Sequence, residues 1–400
     1  MVKHAYTYVP YYHRLFDSVK FKPEDLRDIE DLRRIPITTK LDVKENFAEF
    51  LVQGTDQSKY TSCWTSGSTG IPMNFLVDRK TSCYSLSLHL YGLIECGVKL
   101  TDKIFAMGNT SPTLQSKITE TRLRQLSFLA LRPNTVQVIG RVSLSEIVKA
   151  LNRTKPDVVY SFSNILEDLC VIEVPQISPR LVFSTGGILT EHCRKLVESV
   201  LSAEVFDTYG STEFWRLAFE CNEHSGLHMI TDCAVVECVK EGDTVSPGEA
   251  GEVVVTGLYN HLMPLIRYEL GDIAVQSDES CACGRNWPLI KMIQGRKNDQ
   301  LTLPSGRVLR GRDTWPWFFP EIKEHIWCIS QYQIVQEALD KIVLRIVKGK
   351  QYDDKLMQQI INKIEKDLRG ENVTFTLEII KEIPKEKSGK RRQIINNITP

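Results

Sequence analysis

The period of apolar and polar positions changes along the chain, and the changes mark its organisation. Near the N-terminus, PEDLRDIEDLRRIP has the spacing of an amphipathic helix and stops at Pro36. ITTKLDVKENFAEFLV restarts with Thr38 or Thr39 as an N-cap before a periodic apolar face. From residue 61 to about 240, short apolar runs (KIFAMG, VQVIG, DVVYSF, RLVFSTG, AEVFDTYG) alternate with helix-like runs (TSCYSLSLHLYGLIECG, LSEIVKALNRT, TEHCRKLVESVLS). This alternation predicts βα units and a largely parallel sheet covered by helices, an α/β fold. From about 230 to 295 the strands read as a meander, with turns at Glu241-Gly242 and Pro247-Gly248.

After Gly295-Arg296 the character changes again. ISQYQIVQ and KIVLRIVKG read as two strands, 352–368 as a helix with Leu356, Ile360, Ile361, Ile364 and Leu368 on one face, and VTFTLEII as a further strand. The expected organisation is a large domain over 1–296 and a small α+β domain over 297–400, with no repeats and no low-complexity tract.

Composition narrows the class. Four hundred residues are too many for one small domain, and 42% hydrophobic with 25% charged residues is the balance of an ordinary globular chain. Lys plus Arg and Asp plus Glu are 50 each, so no global field favours nucleic acid or an anionic membrane. No uncharged apolar stretch is long enough to span a bilayer, and the opening MVKHAYTYVPYYHRLF lacks the apolar core of a signal peptide. Eleven cysteines, an odd number and most of them single, fit a reducing compartment better than a disulfide framework, so a cytoplasmic location is expected.

Five short segments carry candidate chemistry. Thr65, Ser66, Gly67, Ser68, Thr69 and Gly70 form an unbroken small, hydroxylated loop before Pro72. Such a loop presents N–H groups and hydroxyls to phosphate oxygens without intervening bulk. It lacks the GK[ST] of a Walker loop, and by itself it also reads as a flexible turn. Asp207-Thr208-Tyr209-Gly210-Ser211-Thr212-Glu213 follows an apolar run and offers a ring to stack, hydroxyls for a phosphate and a carboxylate for Mg²⁺. PLIRYELGD ends in Asp272, a turn residue able to accept two ribose hydroxyls. Gly295-Arg296-Lys297-Asn298-Asp299 lies at the expected domain boundary, and PKEKSGKRR near the C-terminus reads locally as a solvated basic tail.

Taken in order, TSGSTGIP, YGSTE, RYELGD, the boundary GR and the terminal PKEKSGK resemble the adenylate-forming superfamily of acyl-CoA synthetases, peptide-synthetase adenylation domains and luciferases. YVPYYHRLF…RIPITTK, AFECNEHSGLHMITD and CACGRNWPLIKMIQGR are most similar to its phenylacetate–CoA ligase branch, which includes capsule-biosynthesis proteins. The resemblance covers essentially the whole chain. It implies a large domain of mixed, largely parallel sheets joined by a hinge to a small mobile lid. It further implies that Ser66–Gly70 hold the β- and γ-phosphates of ATP. Tyr209 would stack on adenine, Asp207 would lie near the base edge, and Gly186-Gly187 would form the pocket floor. Gly210 and Ser211 would complete the nucleotide loop, Thr212 would contact the α-phosphate and Glu213 would hold Mg²⁺. Asp272 would bind the ribose, with Arg296 close by, and Lys390 would reach the carboxylate and α-phosphate. The family often has two acids at the hinge, so Lys297-Asn298-Asp299 departs from it in part and leaves Asn298 and Asp299 as alternatives.

Cys221, His228, Cys281 and Cys283 have the spacing C-x6-H, then C-x-C followed by Gly284. Two sulfurs in a glycine-flanked turn, joined by a Cys and a His from a hairpin, suit one structural zinc, with His224 as an alternative nitrogen. Unrelated buried cysteines are the competing reading. Cys63, near the phosphate loop, has no paired base and reads as a core thiol.

The leading functional expectation is an ATP-dependent ligase that adenylates a carboxylic acid (aryl, small acyl or amino acid) and transfers it to CoA. The acceptor could instead be an amine, and a non-catalytic nucleotide-binding relative is the reading from another class. Tyr160, Ser161 and Phe162 are equally a pocket wall or a buried strand end. Expected partners are the small acid and its acceptor, without nucleic acid; the oligomeric state, a homodimer included, stays open.

Overall fold

The later changes of period correspond to changes of element in the computed structural model, but PEDLRDIEDLRRIP forms two short 3-10 turns, Pro23–Asp25 and Glu30–Arg34, rather than one amphipathic helix. The structure describes residues 1–64, 73–107, 117–122, 134–139, 142–297, 299–310, 314, 317, 328–349, 351–384 and 391–398. These fall into two units by their internal contacts, Met1–Gly97 with Asp207–Ile293, and Val98–Phe206 with Gln294–Pro400.

In the first unit, helices Val2–Tyr8 and Pro10–Ser18 pack through an aromatic cluster. Proline starts the second helix, where its missing N–H costs nothing. Tyr12 and Phe16 have ring centroids 5.8 Å apart, and Phe16 meets Phe21 at 5.4 Å. Thr39, not Thr38, caps the helix Lys40–Glu45, in a reciprocal box with Asp42. Thr38 instead extends beside the strand that carries the RYELGD motif, bridging to Tyr268. The predicted meander is antiparallel, with Ala234–Lys240, Ala250–Gly257 and Tyr268–Ser277 paired in sequence order. Leu227–Met229 pairs with both Trp215–Glu220 and Leu289–Arg296. Helix Arg79–Glu95, capped by Asp78, covers Trp215–Glu220. A Cβ at Gly92 would stand 3.1 Å from the Phe219 ring, so the helix approaches closely because the residue there is glycine.

In the second unit the alternating runs do form a parallel sheet. Strands Leu181–Thr185, Val158–Phe162, Lys103–Met107 and Asn134–Ile139 are parallel neighbours, and Lys117–Arg122 closes the edge antiparallel. Helices Leu144–Thr154, Ser163–Val171 and Glu191–Leu201 bury Leu151, Leu166 and Leu196 against Val159 and Val182.

The C-terminal part has its own core. A sheet runs Thr374–Ile379, Lys341–Lys348, Ile329–Ala338, Ile394–Asn396. Helix Asp354–Asp367 is capped by Asp353 and buries Leu356, Ile360 and Ile364, with Leu368 buried just past its end. Ile361, expected on the same face, is only partly buried at its margin. The α/β class and the small α+β C-terminal sheet are both as expected. No helix among the described residues is long and apolar enough to cross a membrane.

Candidate functional site

Strand Glu204–Ser211 delivers Asp207, Tyr209, Gly210 and Ser211, and its neighbour Trp215–Glu220 returns antiparallel. The return is tight: a Cβ at Gly210 would lie 1.9 Å from the backbone oxygen of Trp215. Glycine is therefore required there by sterics alone. Ser211 Oγ accepts a bond from the Phe214 amide at 3.2 Å, which shapes the turn holding Thr212 and Glu213. Asp207 is turned toward its own strand, accepting from the Thr208 amide at 2.9 Å.

The buried Tyr209 hydroxyl donates to Asp272 Oδ2 at 2.8 Å, joining two of the predicted nucleotide residues across 63 positions of sequence. Asp272 follows Gly271, whose φ of 82° only glycine adopts readily. Tyr268 places its hydroxyl 3.5 Å from Glu213 Oε1, so Glu213 also faces the Asp272 strand. Tyr209–Asp272 and Glu213–Tyr268 are therefore two polar pairs made by strand Tyr268–Ser277 in the first unit.

Arg267, which sequence reasoning quoted without giving a role, anchors that strand. Its guanidinium is 2% exposed and pairs with Glu237 at 3.1 Å. It also donates to the carbonyls of Ile35 at 2.7 Å and Arg33 at 3.1 Å. Burial pushes the Glu237 carboxyl up, and Arg267 opposes that by favouring its charged form. Arg267 itself has a left-handed backbone, φ 46°, and no sequence signal marks its role.

The second unit holds the other predicted residues. Gly186, with φ 66°, and Gly187 follow strand Leu181–Thr185, and a Cβ at Gly187 would stand 2.5 Å from Ser163 Oγ. Ser161 is fully buried with its hydroxyl on Met107 Sδ, and Phe162 is buried too. Those two residues match the strand-end reading, while Tyr160 is half-buried. Arg296 ends the strand Leu289–Arg296, and its carbonyl accepts from the Asp299 amide at 3.0 Å. Thr65–Gly70, Asn298 and Lys390 lie outside the described residues.

Cys221, His228, Cys281 and Cys283 converge, all four ligand atoms lying within 4.8 Å of one another. Cys221 Sγ is 3.5 Å from Cys281 Sγ, and Cys283 Sγ is 3.3 Å from His228 Nε2. Tetrahedral zinc bonds of ~2.3 Å to sulfur and ~2.0 Å to nitrogen require ligand separations of roughly 3.5–3.8 Å. The donor set fits. Strand pairing fixes His228 opposite Phe219 and Leu289, while Gly284, with φ 79°, turns the C-x-C loop. Burial pushes the Cys221 thiol up to about 12. Burial also raises Cys281, but bonds from Ser225, the Cys283 amide and the neighbouring thiols bring it down to about 7. His224, the alternative ligand, is instead paired with Glu220 at 3.2 Å. Cys63 is half-buried and its thiol is raised by burial, as for a packed core thiol.

Comparison with known proteins places this arrangement. Residues 318–397 match the family model of the CapK C-terminal domain. The chain is similar to a phenylacetate-coenzyme A ligase of Thermus thermophilus, 25% identical over 99% of this chain and 94% of the relative. It is also similar to protein CapK of Staphylococcus aureus, 26% identical over 92% of this chain and 81% of that one. Among solved structures, 2-hydroxyisobutyryl-CoA ligase in complex with R3-HIB-AMP aligns with a TM-score of 0.80 at 18% identity, covering 99% of this chain and 87% of its own. The anthranilate CoA ligase AuaEII in complex with anthranoyl-AMP aligns with a TM-score of 0.63 at 17% identity, over 85% and 66%. The chain has the fold of the acyl-CoA ligases. On that acyl-CoA ligase fold, the Tyr209–Asp272 pair and the cysteine–histidine cluster are both built within the first unit.

Proposed function

We propose that the chain is an AMP-forming acid ligase that adenylates a carboxylic acid and passes the acyl group to CoA. The observation that carries the reading is the 2.8 Å contact between Tyr209 and Asp272, which sets an aromatic ring that would stack on adenine beside a carboxylate that would accept the ribose hydroxyls. The likeness to a phenylacetate-coenzyme A ligase over nearly the whole chain supports the same reaction class.

In the first half-reaction a carboxylate oxygen of the acid attacks the α-phosphorus of ATP. The bond to the β-phosphate oxygen breaks and pyrophosphate leaves. Anion meets anion, so catalysis rests on positioned donors that stabilise charge on the phosphoryl oxygens. The Thr65–Gly70 loop would supply N–H groups and hydroxyls, Thr212 would donate to the α-phosphate and Lys390 would bring a positive charge to the carboxylate. Gly186-Gly187 would floor the acid and adenine pocket, with Arg296 beside the sugar. Glu213 would hold Mg²⁺, which supplies charge neutralisation on the phosphates. In the second half-reaction the CoA thiolate attacks the acyl carbon and AMP leaves. Residues 297–400 would act as the lid, hinging near Asn298 or Asp299.

Cys221, His228, Cys281 and Cys283 would hold a structural zinc, because four protein ligands leave no open position for substrate. The likeness to CapK leaves open a second reading of the acceptor, in which an amine takes the acyl group and an amide forms. An acid-panel assay of pyrophosphate release from ATP, followed by CoA and amines offered to the adenylate, tests both. No acid-dependent release with any acid of the panel would reject the ligase; release without thioester, but with amide, would select the second acceptor.

A further inference from the structure

The basic run Lys385–Arg392 reads in sequence as a solvated tail, yet Arg391 is not solvated. Its side chain is 7% exposed and that of Asp168 only 2%. The two meet as a fork on a fork: Nη1 donates to Oδ1 and Nη2 to Oδ2, each at 2.6 Å. The carboxylate engages both terminal nitrogens of the guanidinium at once, the geometry in which an arginine differs most from a lysine.

Asp168 is held rigidly. It lies on helix Ser163–Val171, whose Leu166, Leu169 and Cys170 are buried in the core of the second unit. The residues after Arg391 are tied down as well. Arg392 pairs with Asp299, and its carbonyl accepts from Gln333 Nε2 at 2.9 Å. The Gln393 carbonyl accepts from the Ile334 amide at 2.8 Å, and Ile394 begins the strand that pairs parallel with Ile329–Ala338. The Tyr332 hydroxyl is raised by burial and by the nearby Glu167, which precedes Asp168 on the same helix. One peptide bond before this anchored segment stands Lys390.

We propose that Asp168 is a positioning residue for the adenylation half-reaction, acting through Arg391 on the segment that carries Lys390. A buried ion pair with one partner removed leaves the other charge uncompensated, so parting the two groups is strongly unfavourable. The pair lies 223 residues apart in sequence and fixes the terminal segment to a helix that ends nowhere near it in the chain. Its free energy is thus available to set the orientation of that segment, and its loss is felt where Lys390 is used. The second half-reaction, which in the proposed function does not use Lys390, has no need of it. The inference rests on the ligase reading above for its catalytic consequence, while the pairing itself stands on geometry.

The experiment compares wild type with Asp168→Asn and Asp168→Glu on three readouts. These are acid-dependent pyrophosphate release, consumption of a chemically supplied acyl-adenylate, and tryptic cleavage at Lys390–Arg392. Asp168→Asn is expected to slow pyrophosphate release at least about tenfold, leave adenylate consumption within about twofold, and hasten cleavage in the run. Asp168→Glu, which keeps the charge, should recover part of the first readout. If Asp168→Asn fails to fold, Arg391→Lys serves instead: it keeps the charge and the tryptic site but loses the second hydrogen bond, and should act in the same direction more weakly. Equal losses in both half-reactions, or none in either, would overturn the positioning role while leaving the ligase reading intact. A wild type that releases no pyrophosphate with any acid, although Asp168→Asn still opens the run to trypsin, would overturn the catalytic role together with the ligase reading.

Discussion

The hydroxyl of Tyr209 donates to the carboxylate of Asp272 at 2.8 Å, so the ring and the acid are held as one unit before any nucleotide arrives. A ligand that engages Asp272 then finds its acceptor already oriented, and little side-chain freedom remains to be lost. Asp272→Asn is expected to weaken ATP binding about 10–100-fold, the consequence of losing charge-assisted bonds of roughly 1.5–3 kcal/mol. Tyr209→Phe keeps the ring and removes only the orienting bond, so it should cost about fivefold. Titration calorimetry with ATP measures both; wild-type affinity in Asp272→Asn would reject the ribose assignment.

Gly210 supplies a prediction about stability rather than binding. Its missing side chain lets the Trp215 carbonyl approach where a Cβ would stand 1.9 Å away, and that obstacle is backbone rather than a movable side chain. Gly210→Ala should destabilise the first unit by about 2–3 kcal/mol, in line with overpacking of a fixed contact. Thermal unfolding of this variant beside Gly248→Ala, whose Cβ would meet nothing within 4 Å, separates the steric effect from the strain of positive φ. Equal melting temperatures for Gly210→Ala and wild type would mean that the strands part freely.

Elements with a strict period were legible in the sequence. The alternating runs of residues 98–206 became a parallel sheet with covering helices, and 352–368 became the helix of the C-terminal sheet. The cysteine–histidine cluster was legible because ligand chemistry restricts spacing more than packing does. What was not legible depends on partners far away in sequence. Nothing near Arg267 announces that its guanidinium binds the carbonyls of Arg33 and Ile35. The SGKRR run looks solvated because the acid that buries Arg391 lies 223 residues upstream. Thr38 and Thr39 are chemically alike; only the pairing of Thr38 with Tyr268 decides that Thr39 caps the helix.

If the four-residue cluster holds zinc, the metal ties the C-x-C loop to Cys221 across 60 residues. Closing so long a loop constrains the unfolded chain, and the ligands must be deprotonated to bind. Protein purified without added metal should contain about one zinc per chain, and Cys281→Ser and Cys283→Ser should each lower that content. Chelation should reduce the melting temperature before it alters pyrophosphate release. Metal-free protein with unchanged melting temperature would show these to be ordinary core thiols.

Lys390 is the side chain to which the proposed chemistry assigns the positive charge at the α-phosphate. Lys390→Ala should lower acid-dependent pyrophosphate release by about 10²–10³-fold, the usual loss for one positioned donor to a developing anion. Consumption of a supplied acyl-adenylate should stay near wild type, because the proposed hinge motion of residues 297–400 would carry Lys390 away before that step. Rapid-quench assays of the two half-reactions separate these effects. Unchanged pyrophosphate release would move the charge to another residue.

Glu167, next to Asp168, makes the second unit sensitive to pH in a direction that can be worked out. Burial and the adjacent Asp168 carboxylate raise its acid to about 7, with Arg391 opposing the shift. Its folded-state pKa thus exceeds the value of about 4.3 expected in the unfolded chain. The folded state holds the proton more tightly, so the contribution to stability is fully present below about pH 4 and is lost as pH rises through 7. Above that, both states are ionised and the loss levels off. Glu167→Gln cannot ionise and should be spared the loss. Relative to wild type it should gain about 1–3 kcal/mol between pH 5 and pH 8, with nearly all of the gain complete just above neutrality. Denaturant midpoints of the two proteins across that range provide the measurement. Curves that run parallel from pH 5 to pH 8 would mean that Glu167 ionises in the folded protein as readily as in the unfolded chain, and that Arg391 compensates it fully.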